Sequence, residues 1–321
     1  MKILLVVDGS SYSVTATEMI GSLALPLSTK VIIMTVVPEH TFLGGITLKK
    51  LRSDSSEKAS QEQKAWKLLQ QPIKTLNKSK LKVTSLVRWG NPAEQILKVA
   101  EEHEISLIIL GAKGLTDSPE FPLGGVALSV MKHAKCSVLL VRHKDEVIKK
   151  INTKERTTIN RVLLATDGSK YANTTTQFLL ELPLPQDCEV IIMTALQSHL
   201  EAWMMTPTLN FKTNKELLEK LQKDEEHEAH KITKKIEKQF KVLGYRTASL
   251  VIRGGAAESV LAAAKEYKPD FIALGNKGLS GIEHLILGSV AERIARFSDC
   301  SVLIGRQFIE SKGKIKNSID I

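Results

Sequence analysis

The sequence predicts an α/β protein built from two doubly wound parallel-sheet domains in tandem. Three observations carry that expectation. The first is an internal repeat. LLVVDGSSYS at 4–13 returns as LLATDGSKYA at 163–172, and VIIMT at 31–35 returns unchanged at 190–194. GAKGLT at 111–116 returns as GNKGLS at 275–280, and AKCSVLLVR at 134–142 as SDCSVLIGR at 298–306. The second is that the strand-like runs are apolar almost throughout, as strands covered on both faces must be. The third is that these runs alternate with helix-period patterns, which implies right-handed crossovers and a parallel sheet.

The repeat sets the domain count. Leu4 and Leu163 are 159 residues apart and Gly111 and Gly275 are 164 apart, so copy two has five extra residues after its second strand. A period this long marks duplicated domains rather than solenoid units. Copy one is expected over about 1–144 and copy two over about 160–307. The charged stretch 144–160 reads as a linker, and the tail from Glu310 as a frayed end.

Within copy one, Ile3–Val7 is the first strand. A helix follows with Ala16, Met19, Ile20 and Leu23 on one face. The matching helix of copy two uses Tyr171, Thr175, Phe178, Leu179 and Leu182. Further strands of copy one are expected at 31–37, 82–87, 106–110 and 137–142. After Asn91-Pro92 a helix turns Ala93, Ile96, Leu97 and Ala100 inward, and Ala257, Val260, Leu261 and Ala264 repeat that face.

Composition narrows the function classes. The chain has 321 residues, 43% hydrophobic and 25% charged, as in globular proteins. No apolar run approaches the ~20 residues of a membrane span. The N-terminal run lacks a signal-peptide cleavage site and continues directly into the repeat. Three cysteines form neither a disulfide framework nor a Cys-x-x-Cys pair, so a cytoplasmic location is expected. The net charge of +10 is spread over helical stretches that also hold many glutamates, such as Lys215 to Lys241. Without an aromatic-rich strand motif or basic arm, it does not point to nucleic acid.

In a doubly wound sheet, ligands sit beyond the carboxyl ends of the strands. Two features lie there in both copies. Asp8 and Asp167 close the first strand, each followed by Gly-Ser. A glycine series closes the fourth strand and opens the last helix. In copy two it reads Gly275-x2-Gly278-x9-Gly288-Ser289. Gly275 and Gly278 let the backbone approach a ligand closely. Gly288-Ser289 at a helix start offers unpaired amides, a favourable dipole end and a hydroxyl to an anion. The aspartate can accept hydrogen bonds from a ribose or base, or it can merely cap the next helix. Together these positions form a candidate mononucleotide site with phosphates on the Gly288–Val290 turn.

With these motifs the chain resembles a tandem universal stress protein. The nucleotide-binding branch of that family carries Gly-x2-Gly-x9-Gly-(Ser/Thr), matched at Gly275, Gly278, Gly288 and Ser289. The continuation SVAERIARFSDCSVLI at 289–304 is also similar to the end of the family domain. The resemblance implies a five-stranded sheet of order 3-2-1-4-5 in each domain, with final strands meeting edge to edge in an intramolecular pseudo-dimer. It implies adenine-nucleotide binding, ATP with Mg2+ bridging the phosphates or ADP or AMP, and little or no hydrolysis. Asp167 takes the place of the family's first-strand aspartate and Ala195 that of the residue whose backbone meets adenine. Phosphate contacts would come from Gly278, Gly288, Ser289 and the backbone of Val290.

Copy one departs from that pattern. Its corresponding positions are Asp8, Val36, Gly111, Gly114, Gly124 and Gly125, with glycine where the family has Ser or Thr. Its insert LTDSPEFPL brings Asp117 and Glu120, and carboxylates disfavour phosphate unless a cation intervenes. Copy one is expected to bind nucleotide weakly, differently or not at all, although glycine can also widen a phosphate nest.

Other constellations carry less. The loop is not a Walker motif. His227-Glu228-Ala229-His230 has i, i+3 spacing on a charged helix and reads as a solvated face, not a zinc site. Lys113 and Lys277 either touch phosphate or are solvated. Cys136 and Cys300 read as small buried residues. Trp203, Met204 and Met205 either lid the crevice or pack on their own domain. No catalytic set is present, and the Ser-Gly-Gly-x-Asp-Ser pattern of ATP pyrophosphatases is missing from the first strand. The two function classes that remain are an ATP-binding stress or signalling protein and a nucleotide-free scaffold for an unknown protein partner. Pairs of chains could assemble further as homodimers.

Overall fold

The structure, a computed structural model, describes residues 1–39, 42–43, 46–47, 55–79, 81–118, 120–142, 159–196, 211–279 and 287–306. The candidate lid around Trp203, the tail from Glu310 and most of the expected linker lie outside these residues. The linker's last two residues are tied to domain 2, Ile159 by burial and the exposed Asn160 by its backbone. Ile159 is 2% exposed and the Asn160 amide donates to Asp270.

Domain 1 runs β1 (Lys2–Val6), α1 (Ser11–Ser22), β2 (Lys30–Val37), a short β3–β4 hairpin (Phe42–Leu43, Ile46–Thr47) and α2 (Ser55–Asn77). It continues with β5 (Lys82–Trp89), α3 (Pro92–Glu102), β6 (Leu107–Gly111), α4 (Gly125–His133) and β7 (Ser137–Val141). Domain 2 repeats this as β8 (Arg161–Ala165), α5 (Lys170–Glu181), β9 (Glu189–Leu196), α6 (Phe211–Val242) and β10 (Arg246–Arg253). It ends with α7 (Ala256–Tyr267), β11 (Phe271–Gly275), α8 (Ser289–Phe297) and β12 (Ser301–Gly305). Among the described residues no helix is long and apolar enough to cross a membrane.

All strands but the β3–β4 hairpin form one ten-stranded sheet, β5-β2-β1-β6-β7-β12-β11-β8-β9-β10. Each half therefore has the order 3-2-1-4-5 and is parallel within itself. At the centre β7 meets β12 antiparallel, pairing Leu139 with Leu303. These two leucines are equivalent positions of the repeat, so a local twofold axis passes between them. Neither domain leaves its fifth strand as an open edge, which removes a template for unwanted pairing.

The apolar strands explain the two layers. One face packs under α3, α4, α7 and α8, the other under α1, α2, α5 and α6, and each layer contains buried side chains of both domains. The expected inward faces are close to those observed, with a shift in phase. Val99 and Ala263 are fully buried in α3 and α7, whereas Leu97, Leu261 and Ala264 are only partly covered. In α5, Ala172 and Thr176 are buried while Tyr171 and Phe178 lie at the margin.

The junction is also pinned by polar ties. The Ala24 amide donates to Pro183 O at 2.9 Å, between equivalent loops of the two domains. Arg142 at the end of β7 donates to Ala295 O and Arg296 O of α8 at 2.9 and 3.0 Å. Its counterpart Arg306, after β12, donates to Met131 O of α4. Ser301 Oγ accepts from the Arg142 amide, and Ser137 Oγ from the Arg306 amide, completing the symmetry.

Candidate functional site

β8 ends at Ala165 and the chain turns through Thr166, Asp167, Gly168 and Ser169 into α5. Gly168 has φ +75°, a conformation that a side chain would strain. Ser169 is the helix cap, its side chain accepting from the Ala172 amide at 3.2 Å. The capping alternative for the aspartate therefore falls to the serine, and the same holds for Ser10 in domain 1. Asp167 has a different task. Its Oδ1 accepts from the Ser169 amide at 2.9 Å, and its Oδ2 from the Leu279 amide at 2.9 Å. The carboxylate thus ties the first-strand turn to the glycine loop 112 residues further on.

The loop lies tight on α5. A Cβ at Gly275 would come within 2.9 Å of the Tyr171 carbonyl carbon, which no side chain tolerates. The chain then reaches Gly288, whose amide donates to Asn276 O at 2.7 Å. Gly288 is the N-cap of α8 and offers no side-chain cap, so the first-turn amides of that helix lack the usual covering group. Ser289 and Val290 are exposed at this turn.

A cavity of about 170 Å³ opens between these elements. All seven candidate positions of copy two, Asp167, Ala195, Gly275, Gly278, Gly288, Ser289 and Val290, line it. Its inner end is apolar, formed by Ala165, Met193, Ala195, Ala256 and Val260. Its outer end carries the α8 amides and Lys277, whose Nζ sits 5.6 Å from the centre of the Tyr171 ring. Among the described residues no cluster of three His, Cys, Asp or Glu side chains could hold a metal ion. That includes His227 and His230, both exposed on α6.

Domain 1 is built on the same frame with a different interior. Asp8 repeats the tie, accepting from Ser10 at 3.0 Å and from the Leu115 amide at 3.1 Å. Asp117 folds back onto its own loop. Its Oδ2 accepts from the Gly114 amide at 2.7 Å and lies where a Cβ on Gly124 would sit. A carboxylate therefore stands over the mouth of α4, where domain 2 has Gly281 in the equivalent sequence position. The apolar end is lined by larger side chains as well. Where domain 2 has Ala165, Ala195, Ala256 and Val260, domain 1 has Val6, Val36, Pro92 and Ile96, each larger. The copies therefore differ in the size of their strand-end and α3/α7 residues as well as at Gly125 against Ser289 and in the acidic insert. A Cβ at Gly125 would meet nothing within 4 Å, so sterics do not exclude a serine there.

Sequence reasoning missed the four size differences and the closure by Asp117. The first were readable by comparing strand-end residues pair by pair. The second needed the loop's path.

A sequence profile described as the universal stress protein family matches residues 1–142 and again 158–306. Relatives also match over about the length of one half. The universal stress protein MJ0531 of Methanocaldococcus jannaschii is 27% identical over 144 residues, covering 45% of this chain and 80% of that protein. YxiE of Bacillus subtilis is 27% identical over 149 residues, covering 46% of this chain and 99% of its own. At the level of fold, the crystal structure of a universal stress protein from Archaeoglobus fulgidus aligns over 95% of this chain and 98% of its own. That alignment has a TM-score of 0.62 at 19% identity. With the profile matched twice across most of its length, the chain belongs to the universal stress protein family and carries the family domain in tandem.

Proposed function

We propose that this protein binds one adenine nucleotide per chain, ATP or its di- or monophosphate, in the cleft of domain 2, and serves as a nucleotide-responsive stress or signalling protein. The observation that carries the reading is the convergence of Asp167, Ala195 and the whole glycine series on one cavity with an apolar inner end and an uncapped helix start. The apolar end suits a purine ring, and the α8 amides suit phosphate. A Mg2+ ion would be held by the phosphates and water, because both oxygens of Asp167 already accept backbone amides. Asp167 is the carboxylate among the lining residues, and both its oxygens already accept backbone amides, so the expected hydrolysis is slow or nil.

We further take residues 1–144 and 160–307 as the two units, with unequal duties. Domain 1 serves mainly as the partner that pairs with domain 2. Support for this comes from the larger side chains Val6, Val36, Pro92 and Ile96 and from Asp117 over its loop. A nucleotide-free scaffold is the second reading. It is favoured for domain 1 by Leu115 and Phe121, 66% and 64% exposed beside the closed loop.

The test is mass spectrometry of natively purified protein, with ATP titration by calorimetry. Adenine nucleotide at one per chain, lost in Gly288→Asp, is the expected result. No co-purifying nucleotide, and no thermal shift at millimolar ATP and magnesium, would leave only the scaffold.

A further inference from the structure

We infer that Arg142, a residue of domain 1, is a positioning residue for the phosphate end of the domain 2 cleft. This inference rests on the nucleotide reading above and adds to it a dependence of one domain's site on the other domain.

α8 is a helix of nine residues. Its first turn lies in the lining of the cleft at Ser289, Val290 and Ala291. Its other end leaves carbonyls without helical partners, as every helix does. Arg142 takes two of them. Its Nη2 donates to Ala295 O at 2.9 Å and Arg296 O at 3.0 Å. The same nitrogen donates to Pro122 O at 2.8 Å, in the glycine loop of domain 1. One guanidinium therefore joins the far end of the proposed phosphate helix to the equivalent loop of the other copy. A cation at a helix C-terminus also complements the dipole whose positive end faces the ligand.

The anchor is stiff on both sides. The backbone amide of Arg142 is held by Ser301 Oγ at 3.0 Å, on the strand that follows α8. The loop that supplies Pro122 is closed on itself by Asp117 on the Gly114 amide. At ~1.5 Å per residue α8 is a rod of roughly 13 Å. A tilt of about 5° at the anchored end moves the first-turn amides by about 1 Å, enough to turn a good hydrogen bond into a poor one.

The reciprocal tie is poorer. Arg306 reaches Met131 O of α4, but its Nη1 has no partner among the described residues. That arginine serves the helix whose start Asp117 covers. The more fully bonded arginine therefore serves the open cleft.

The experiment compares ATP with adenosine on the full chain, for the unsubstituted protein, Arg142→Gln and Arg142→Lys. Adenosine lacks phosphates, so it reports the apolar end alone. The expected result is ATP binding about tenfold weaker in Arg142→Gln, the size of one lost hydrogen bond, with adenosine unchanged. Arg142→Lys keeps the cation but on a shorter side chain that cannot reach all three carbonyls, and should lie between. It also carries the test by itself if the glutamine variant does not fold. ATP affinity equal to that of the unsubstituted protein in both variants would overturn the inference. So would an equal loss for ATP and adenosine, which marks general loosening. An unsubstituted protein that binds neither ligand would instead refute the nucleotide reading.

Discussion

Ser289 and Gly125 begin the last helices of the two domains at equivalent positions, and neither caps its helix. Ser289 is exposed, so its hydroxyl has little to do for folding. Ser289→Ala is expected to weaken ATP binding by about 1 kcal/mol, as for one hydrogen bond, with the melting temperature unchanged. Equal ATP affinity by calorimetry would remove this hydroxyl from the phosphate contacts. Ala195 offers a sharper substitution, since domain 1 already tolerates valine in the same register at Val36. Ala195→Val should fold normally and lose co-purifying nucleotide, because the added methyls enter the apolar end of the cleft. Retained nucleotide would show that the size of this residue does not govern the cleft. At this scale the sequence displayed the glycine series and the aspartates plainly, because each is local. The larger lining of domain 1 was hidden because Val6, Val36 and the pair Pro92 and Ile96 come from three separate elements, β1, β2 and α3. The closure by Asp117 depends on a loop path that no spacing rule encodes.

The long helices after the second strands show how a local rule yields to packing. Among the described side chains of α6 the buried ones are Ala229, Thr233, Ile236 and Phe240, a stripe of i, i+4, i+7 and i+11 spacing. In α2 the same stripe is Ala65, Leu69, Pro72 and Leu76, with proline standing where α6 has Ile236. A proline inside a helix removes one ladder bond and crowds the preceding turn. The helix nevertheless continues, because Leu69 and Leu76 on either side are fully buried against the sheet. Pro72→Ile is therefore expected to raise stability by about 1–3 kcal/mol in denaturant titration, regaining part of the helical cost of proline. A lower midpoint would mean that the ring shape at this site is required by the α1–α2 packing. The five main-sheet strands of domain 1 were legible to within two residues, the central ones because a sheet buried on both faces demands continuous apolar runs, whereas the β3–β4 hairpin was not expected. The helix faces were legible only to within one position. Tyr171 and Leu97 look inward by period but lie at the margin, because the crossing angle of helix on sheet, which the period does not contain, selects the buried side.

The whole molecule is held at its twofold axis by more than the strand pair. Both core layers contain side chains of the two domains, so the chain is expected to unfold in one transition rather than two. Glu292 on α8 is one of the polar groups at that junction. It accepts from Arg296 at 2.8 Å and pairs with Lys132 of domain 1 at 3.3 Å. The hydrogen bond from Arg296, aided by Lys132, holds its carboxyl below the usual 4.5 despite partial burial. A carboxyl depressed in the folded state gives its stability above the unfolded value and loses it as the pH falls through the folded one. The contribution is therefore complete at neutral pH and fades under acid, below about pH 4.5. Both partners are partly exposed, so the pair is worth about 0.5–1 kcal/mol. Denaturant titrations of the unsubstituted protein and Glu292→Gln should differ by that amount at pH 7, and the difference should shrink as the pH falls below about 4.5. A difference that persists undiminished at pH 3 would assign the loss to packing of the side chain rather than to its charge.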